Sequence, residues 1–393
     1  MTSAIIITLC SLLLIAYLFD VTSSKTKIPS VIILLLLGWL TKQSTIVLEI
    51  NFPDLSNVLP ILGTIGLILI VLEGSLELEF NSSKLNIVKK SVVVALLPIL
   101  VLSFGIAYLM GYYYNIPLKT ALTNIFPISV ISSAIAIPSA KNIPSSEKEF
   151  ITYESSLSDI FGVILFNFVA LNTDFGTKSF GYFVFEFLLM IIISFASTLL
   201  LTYLLGKIKN HVKFIPIILI IILIYAVSKL YHLPALIFIL FFGLIIGNVD
   251  ELKHIPYIKK FHTEILNKEV KELSKLTNEI TFLIRSLFFI LFGFLIDTSE
   301  LLNSETFIWS LGITISIFAV RFIFLKIFSL PTKSLLFFAP RGLITILLYL
   351  SIPINEKIEL VNKSLIIQVI VLTAIIMMIG LMINPTTKLK EKI

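Results

Sequence analysis

Long apolar runs recur along this chain, and they fix the solvent in which it folds. A helix that crosses a bilayer needs about 20 mostly apolar residues, and shorter ones occur. Thirteen segments fit: 3–19, 28–42, 55–75, 91–113, 117–140, 147–171, 180–206, 213–231, 233–248, 280–297, 305–328, 332–353 and 363–383. Lipid cannot pair with backbone N–H and C=O groups, so a chain of such segments closes into helices. Composition agrees, with 57% hydrophobic and 14% charged residues where soluble domains carry about 25% charged. Mean hydropathy is +1.04. The expected fold is an all-α polytopic membrane protein of 13 transmembrane helices, one unit over 1–393. Cys10, the single cysteine, lies in the first span, which argues against a disulfide framework or a thiol metal site. No Lys or Arg precedes Lys25, so Ser3–Phe19 reads as a retained helix and not a cleaved leader.

The net charge of +6 is a matter of topology and does not point to nucleic acid. Alternate loops lie on alternate sides of a membrane. One side then collects 21 lysines, from Lys25 and Lys27 through Lys84, Lys148 and Lys213 to Lys392, and the other only Lys42, Lys119, Lys178, Lys229, Lys357 and Lys363. The lysine-rich side is cytoplasmic. The N-terminus is therefore expected outside and the C-terminus in the cytoplasm.

The three arginines, Arg285, Arg321 and Arg341, all fall within apolar spans. A buried partner for a carboxylate favours Arg, which stays charged and offers a planar fork of donors. Snorkelling at a helix end is the alternative, weightiest for Arg285. Residues 250–279 interleave Lys and Glu with Ile255, Ile258, Phe261, Ile265, Val270, Leu273 and Leu276 at helical spacing. They read as an interfacial amphipathic helix or a solvated connector. His254 and His262 lie there as candidate pH-sensing groups or ordinary exposed side chains.

The spans divide into two sets of six about a linker helix, 180–207, with a first repeat over 1–172 and a second over 213–385. The first set starts outside and the second inside, so the halves are inverted. Their fifth members are the polar, proline-interrupted ones: "FPISVISSAIAIP", with Ser132, Ser133 and Pro138, and "FFAPRGLI", with Pro340, Arg341 and Gly342. Such interruptions place unpaired backbone groups beside an ion-binding cavity at mid-membrane. The expectation is two crossed, unwound helices, the fifth and the twelfth.

Within the sixth span, "YESSLSDIFGVILF" carries Glu154 and Asp159. Ser155 and Asp159 are i and i+4, as are Glu154 and Ser158, so one side of the helix is polar. An ionised carboxylate at mid-bilayer costs about 2.5–3.5 kcal/mol on insertion scales. Flanking hydroxyls make a hard-oxygen site suited to Na+, Li+, K+ or a proton. The several carboxylates of a divalent site are missing. No cofactor is expected, and no G-x-S-x-G or H-E-x-x-H points to an intramembrane hydrolase.

With these residues in view, the sequence resembles the monovalent cation/proton antiporter superfamily, closest to its NhaP-type Na+/H+ antiporter and sodium/proton exchanger branch. "ESSLSD" resembles that branch's E-S-x-x-N-D motif. "LEGSLELEF", with Glu73, resembles its E-G-G-L-x-L-D element. "AVRF" at Arg321 and "APRGLI" at Arg341 resemble its A-R-P and x-R-G elements. The resemblance implies exchange of a monovalent cation, Na+ or Li+, for H+ at Asp159, with Ser155 as a ligand. It implies that Glu154 pairs with Arg321, and that a core of helices 3–6 and 10–13 moves against a dimerising scaffold. A homodimer in a bacterial plasma membrane, serving pH homeostasis, follows from the same resemblance. Two positions depart from the pattern. Ser158 stands for the motif's Asn, and "SSAIAIP" replaces the T-D-P of helix five, closer to the K+-efflux branch. A K+/H+ antiporter and a non-transporting, ion-sensing or channel-like protein therefore stand as alternatives. Glu73 and Arg285 complete the candidate residues.

Overall fold

A computed structural model describes residues 2–26, 28–49, 54–78, 84–140, 143–172, 177–207, 213–231, 233, 235–248 and 263–383. Helix is the only regular structure among them. The helices are α1 (Thr2–Thr26), α2 (Ser30–Val47), α3 (Val58–Glu77), α4 (Leu85–Tyr114), α5 (Leu118–Ser129), α6 (Ser133–Ser139), α7 (Ser145–Leu171), α8 (Thr177–Lys207), α9 (Phe214–Leu230), α10 (Leu236–Gly247), α11 (Thr263–Leu295), α12 (Thr298–Leu301), α13 (Ser304–Ile327), α14 (Thr332–Leu335), α15 (Leu343–Leu350) and α16 (Lys363–Ile383). A 3-10 turn, Ile354–Glu356, lies between the last two.

Among the described residues, eight helical stretches are long and apolar enough to cross a membrane, one of them α5 and α6 taken together. Three shorter apolar helices, Ile7–Thr22, Phe214–Leu230 and Leu236–Gly247, accompany them. The helix α7, which carries the polar strip from Glu154 to Asp159, is not among the eight.

The tenth span differs from expectation. It is the second half of α11, which runs unbroken from Thr263 to Leu295. No proline interrupts this stretch, and its apolar residues keep helical spacing throughout. Val270 and Leu273 are buried while Lys268, Lys271, Glu272 and Lys275 are exposed, so the described part of 250–279 is an amphipathic helix with its apolar face packed. His254, His262 and the rest of 249–262 lie outside the described residues.

The helices sort into two bodies. In one, α2 and α3 pack on α11, α10 packs on α3 and α8, and α1 and α9 flank them. In the other, α4 packs on α5, α7 and α13, α6 on α7, α15 on α5 and α7, and α13 on α14 and α16. The expected grouping of helices 3–6 with 10–13 is therefore corrected at two members, since α3 and α11 lie with the first body. The bodies meet where α3 crosses α6, α7 and α15, and where α2 and α12 reach α16.

Close crossings explain that grouping. A Cβ on Gly38 of α2 would lie 2.0 Å from the Ile290 carbonyl oxygen, and one on Gly293 of α11 would lie 2.2 Å from that of Leu35. These glycines let the two backbones touch, the packing on which helices in lipid depend. Gly38→Ala pushes backbone against backbone and is expected to cost about 1–3 kcal/mol, read as a lower thermal midpoint of the purified protein.

Five lysine ion pairs between elements join segments that the lysine pattern puts on the same side. Lys42–Asp297, Lys119–Glu356 and Lys363–Glu300 lie at one end, and Lys84–Glu149 and Lys213–Glu269 at the other. The first end also carries the link between the two bodies. "DTSE" forms a capping box in which Asp297 and Glu300 bond each other's backbone at the start of α12. Lys42 of α2 grips Asp297, while Gln368 of α16 donates to the Leu301 and Asn303 carbonyls at 3.2 and 2.9 Å. The hydrogen bond from Lys42, and then the charges of Lys42 and Lys363, hold Asp297 below the ordinary carboxylate range. A depressed acid stabilises the fold above its unfolded pKa and loses that contribution as pH falls through its folded one. Asp297 is half exposed, so Asp297→Asn is expected to cost under about 1 kcal/mol at neutral pH. Melting curves of the two proteins should converge in acid.

Candidate ion-binding site

The site forms where two interrupted helices meet α7. The first interruption is Val130–Ser132, extended between α5 and α6, with ψ of 133° at Val130 and 115° at Ser132. It is not at Pro138, which lies inside α6. Pro127 removes an N–H from the last turn of α5, and Val130 and Ile131 are β-branched, so the helix ends there. The second interruption runs through Pro340, Arg341 and Gly342 ahead of α15. The two touch directly. Ser132 N–H donates to the Pro340 carbonyl at 2.9 Å. A Cβ on Gly342 would lie 2.6 Å from Ile135 Cδ1 and 2.9 Å from Ser132 Oγ, so only glycine allows that approach without displacement.

A helix end leaves its last carbonyls without partners. Arg341 supplies them for α5. Its Nε donates to the Ile128 carbonyl at 2.7 Å and one terminal nitrogen to that of Ser129 at 3.1 Å. The other terminal nitrogen reaches the Ala339 carbonyl at 2.9 Å, and the backbone N–H donates to Thr373 Oγ1 of α16 at 3.0 Å. A cation at a helix C-terminus is favoured by the dipole. The Ile128 and Ser129 carbonyls at the end of α5 are thus occupied by Arg341.

On the other side of the break lies Asp159, 2% exposed. Its Oδ2 accepts a short hydrogen bond from the Ser133 hydroxyl and a longer one, 3.4 Å, from the Ser133 N–H. Its Oδ1 is buried and has no hydrogen-bond partner among the described residues. Ser155 lies one turn before Asp159 on α7, 1% exposed, its hydroxyl only 3.5 Å from the Thr152 carbonyl. Ser158 faces the break, and its Oγ accepts from Ile131 N–H at 2.9 Å. Sequence reading placed Ser133 in the unwound stretch but missed it as the partner of Asp159.

Glu154 and Arg321 meet in a two-pronged ion pair, 2.6 and 2.9 Å, with 1% and 3% of their side chains exposed. Arg321 Nε also donates to the Leu335 carbonyl at 2.9 Å, so the pair ties α7 to α13 and α14. Arg285 is in mid-helix on α11 and buried. Glu73 is half-buried on α3, one residue before Gly74, whose Cβ would lie 3.0 Å from Ser156 Oγ of α7. No group of three metal-ligating side chains occurs among the described residues.

The chain as a whole has counterparts in known proteins. The family model for the sodium/hydrogen exchanger, transmembrane, matches residues 10–389. The chain belongs to the sodium/hydrogen exchanger family. Its members are transporters and not enzymes. The fold is similar to that of the sodium proton antiporter MjNhaP1 from Methanocaldococcus jannaschii at pH 8, with a TM-score of 0.71 at 19% identity, covering 94% of this chain and 97% of that one. An electron-microscopy map of the same antiporter gives 0.70 at 17% identity, covering 98% and 96%. Among curated proteins, none matches this sequence. Asp159 has one carboxylate oxygen held by Ser133 and one open.

Proposed function

We propose that this exchanger moves one Na+ or Li+ against one H+ at Asp159, electroneutrally and by alternating access. The open Oδ1 of Asp159 carries the reading. A buried carboxylate with a free oxygen takes up a proton or an alkali cation, and either one neutralises it. The two exclude each other, so one unit of charge crosses in each direction. An empty, ionised site is costly to carry through lipid, which keeps the two fluxes coupled.

Ser133 orients the carboxylate and Ser155 offers a hydroxyl ligand. Glu154 and Arg321 hold α7 against α13, and Arg341 keeps the carbonyl end of α5 closed to the ion. The thirteen apolar segments cross the membrane with the N-terminus outside, in two inverted repeats. Alternating access is relative motion of the two bodies, with α3 as their shared surface. The working unit is a homodimer in a bacterial plasma membrane, where it serves pH homeostasis.

A K+/H+ antiporter is the second reading, because Ser132 and Ser133 stand where an acidic residue would strengthen selection of the smaller ion. Liposomes with an acidic interior and an enclosed pH dye separate the two. Na+ and Li+ are expected to drive proton efflux, K+ and choline not. A response to K+ alone makes the second reading the right one. Silence towards every cation overturns both.

A further inference from the structure

Beside the break between α5 and α6 lies a small cavity of about 10 Å³. Its polar lining is Ser129, Ser158, Arg321 and Arg341, and apolar side chains of α4 and α13 close the rest. The four polar residues are between 0% and 3% exposed, so the polar lining is buried. A void of this kind holds a water when it has roughly 10–15 Å³ and two to four polar partners.

The donors around it are under-used. A guanidinium has five N–H groups. Arg321 and Arg341 each place three of theirs on protein acceptors, which leaves two apiece without one among the described residues. Ser158 Oγ accepts from Ile131, and its own O–H has no acceptor among the described residues. Unpaired donors in a desolvated place cost about 1–3 kcal/mol each. The Ser129 carbonyl, which accepts from Arg341, keeps a second lone pair.

We propose that this cavity holds one permanently bound water molecule, and that through it Ser158 and Arg341 act as positioning residues for Asp159. The water accepts from two of the three donors, Ser158, Arg321 and Arg341, and donates to the Ser129 carbonyl. Two guanidinium groups exclude a cation, and the volume admits one water-sized sphere. With its hydroxyl proton engaged, Ser158 presents a fixed lone pair to Ile131 N–H. That bond sets the extended link whose next residues are Ser132 and Ser133, and Ser133 holds the carboxylate.

The test has two arms. The first is a structure of the full chain in lipid at a resolution that shows ordered water, in chloride and in bromide. A single peak within hydrogen-bond distance of Ser158 and at least one guanidinium is expected. An empty cavity, or a peak that bromide replaces, overturns the proposal. In Ser158→Asn the longer carboxamide is expected to occupy the peak's position, and a peak that persists beside it counts against the proposal.

The second arm is transport, and it rests on the exchange reading above. Ser158→Ala is expected to raise the half-saturating cation concentration about two- to tenfold, the worth of one hydrogen bond, with a thermal midpoint close to wild type. If that variant fails to fold, Ala95→Val narrows the cavity from the opposite wall with Ser158 intact and should shift the same constant. A folded variant with an unaltered constant shows the water to be filler and overturns the positioning role. Absence of any cation response in the wild type would remove the exchange reading and leave the density arm to decide the water.

Discussion

Asp159→Asn is expected to abolish cation-driven proton efflux from liposomes while the protein stays folded. The carboxamide has nearly the shape of the carboxylate and can still accept from Ser133, whose hydroxyl and N–H both meet Oδ2. Packing therefore survives, and the thermal midpoint should hold or rise, because a desolvated charge is removed. The ability to take a proton, or to neutralise a cation, is lost. Two opposite charges at about 4 Å attract by about 4 kcal/mol at an effective dielectric of 20. Loss of that attraction weakens cation binding about a thousandfold. Ser133→Ala should be milder. It deletes one hydrogen bond to a charged group, about 1.5–3 kcal/mol, and should raise the half-saturating cation concentration without silencing transport. If the Asn variant exchanges cations at the wild-type rate, the ion is bound elsewhere. Glu73, half-buried on α3 beside the crossing with α7, would then be the first alternative to examine.

What the sequence disclosed about this site follows from the range of each signal. The polar strip on α7 is a local pattern. Four of the five polar residues from Glu154 to Asp159, namely Glu154, Ser155, Ser158 and Asp159, share a helical side whatever surrounds them, so it was legible. The interruptions were legible as segments, because proline and serine are local breakers, and the second opens at Pro340–Gly342 as read, but the bounds of the first were not. Pro138 sits inside α6, while the chain actually opens at Val130–Ser132. There Arg341, more than 200 residues away in sequence, takes the freed carbonyls. An opening stabilised from so far along the chain leaves no local trace. Ser133 is the same case, since its partner lies on another helix. The length of α11 was hidden for the opposite reason. Charged residues in its first half look like a boundary between a connector and a span, although the backbone continues through them. Membership of the two bodies was least legible of all, since it depends on where glycines such as Gly38 and Gly293 let backbones touch.

Arg321→Leu is expected to destabilise the protein more than any other single change considered. Breaking a buried ion pair from one side costs about 3–5 kcal/mol, because the remaining charge is left in a low-dielectric place. Here that charge is Glu154, 1% exposed, whose two oxygens both depend on the same guanidinium. The Leu335 carbonyl loses its donor as well. Arg321→Lys should recover only part of the loss, since an ammonium cannot serve both oxygens and the carbonyl in one plane. Replacing both partners discriminates between two accounts of the pair. If its main role is to neutralise itself inside the core, Glu154→Gln with Arg321→Met should be far more stable than Arg321→Leu alone, because no buried charge remains. If its role is to hold α7 against α13 and α14 during transport, that double variant should fold, melt near the wild type and still exchange cations slowly. Thermal midpoints and liposome flux, measured on the same four proteins, separate stability from transport. A single Arg321→Leu variant that melts with the wild type would show that water reaches Glu154, and that the pair lies on a wetted surface of the core.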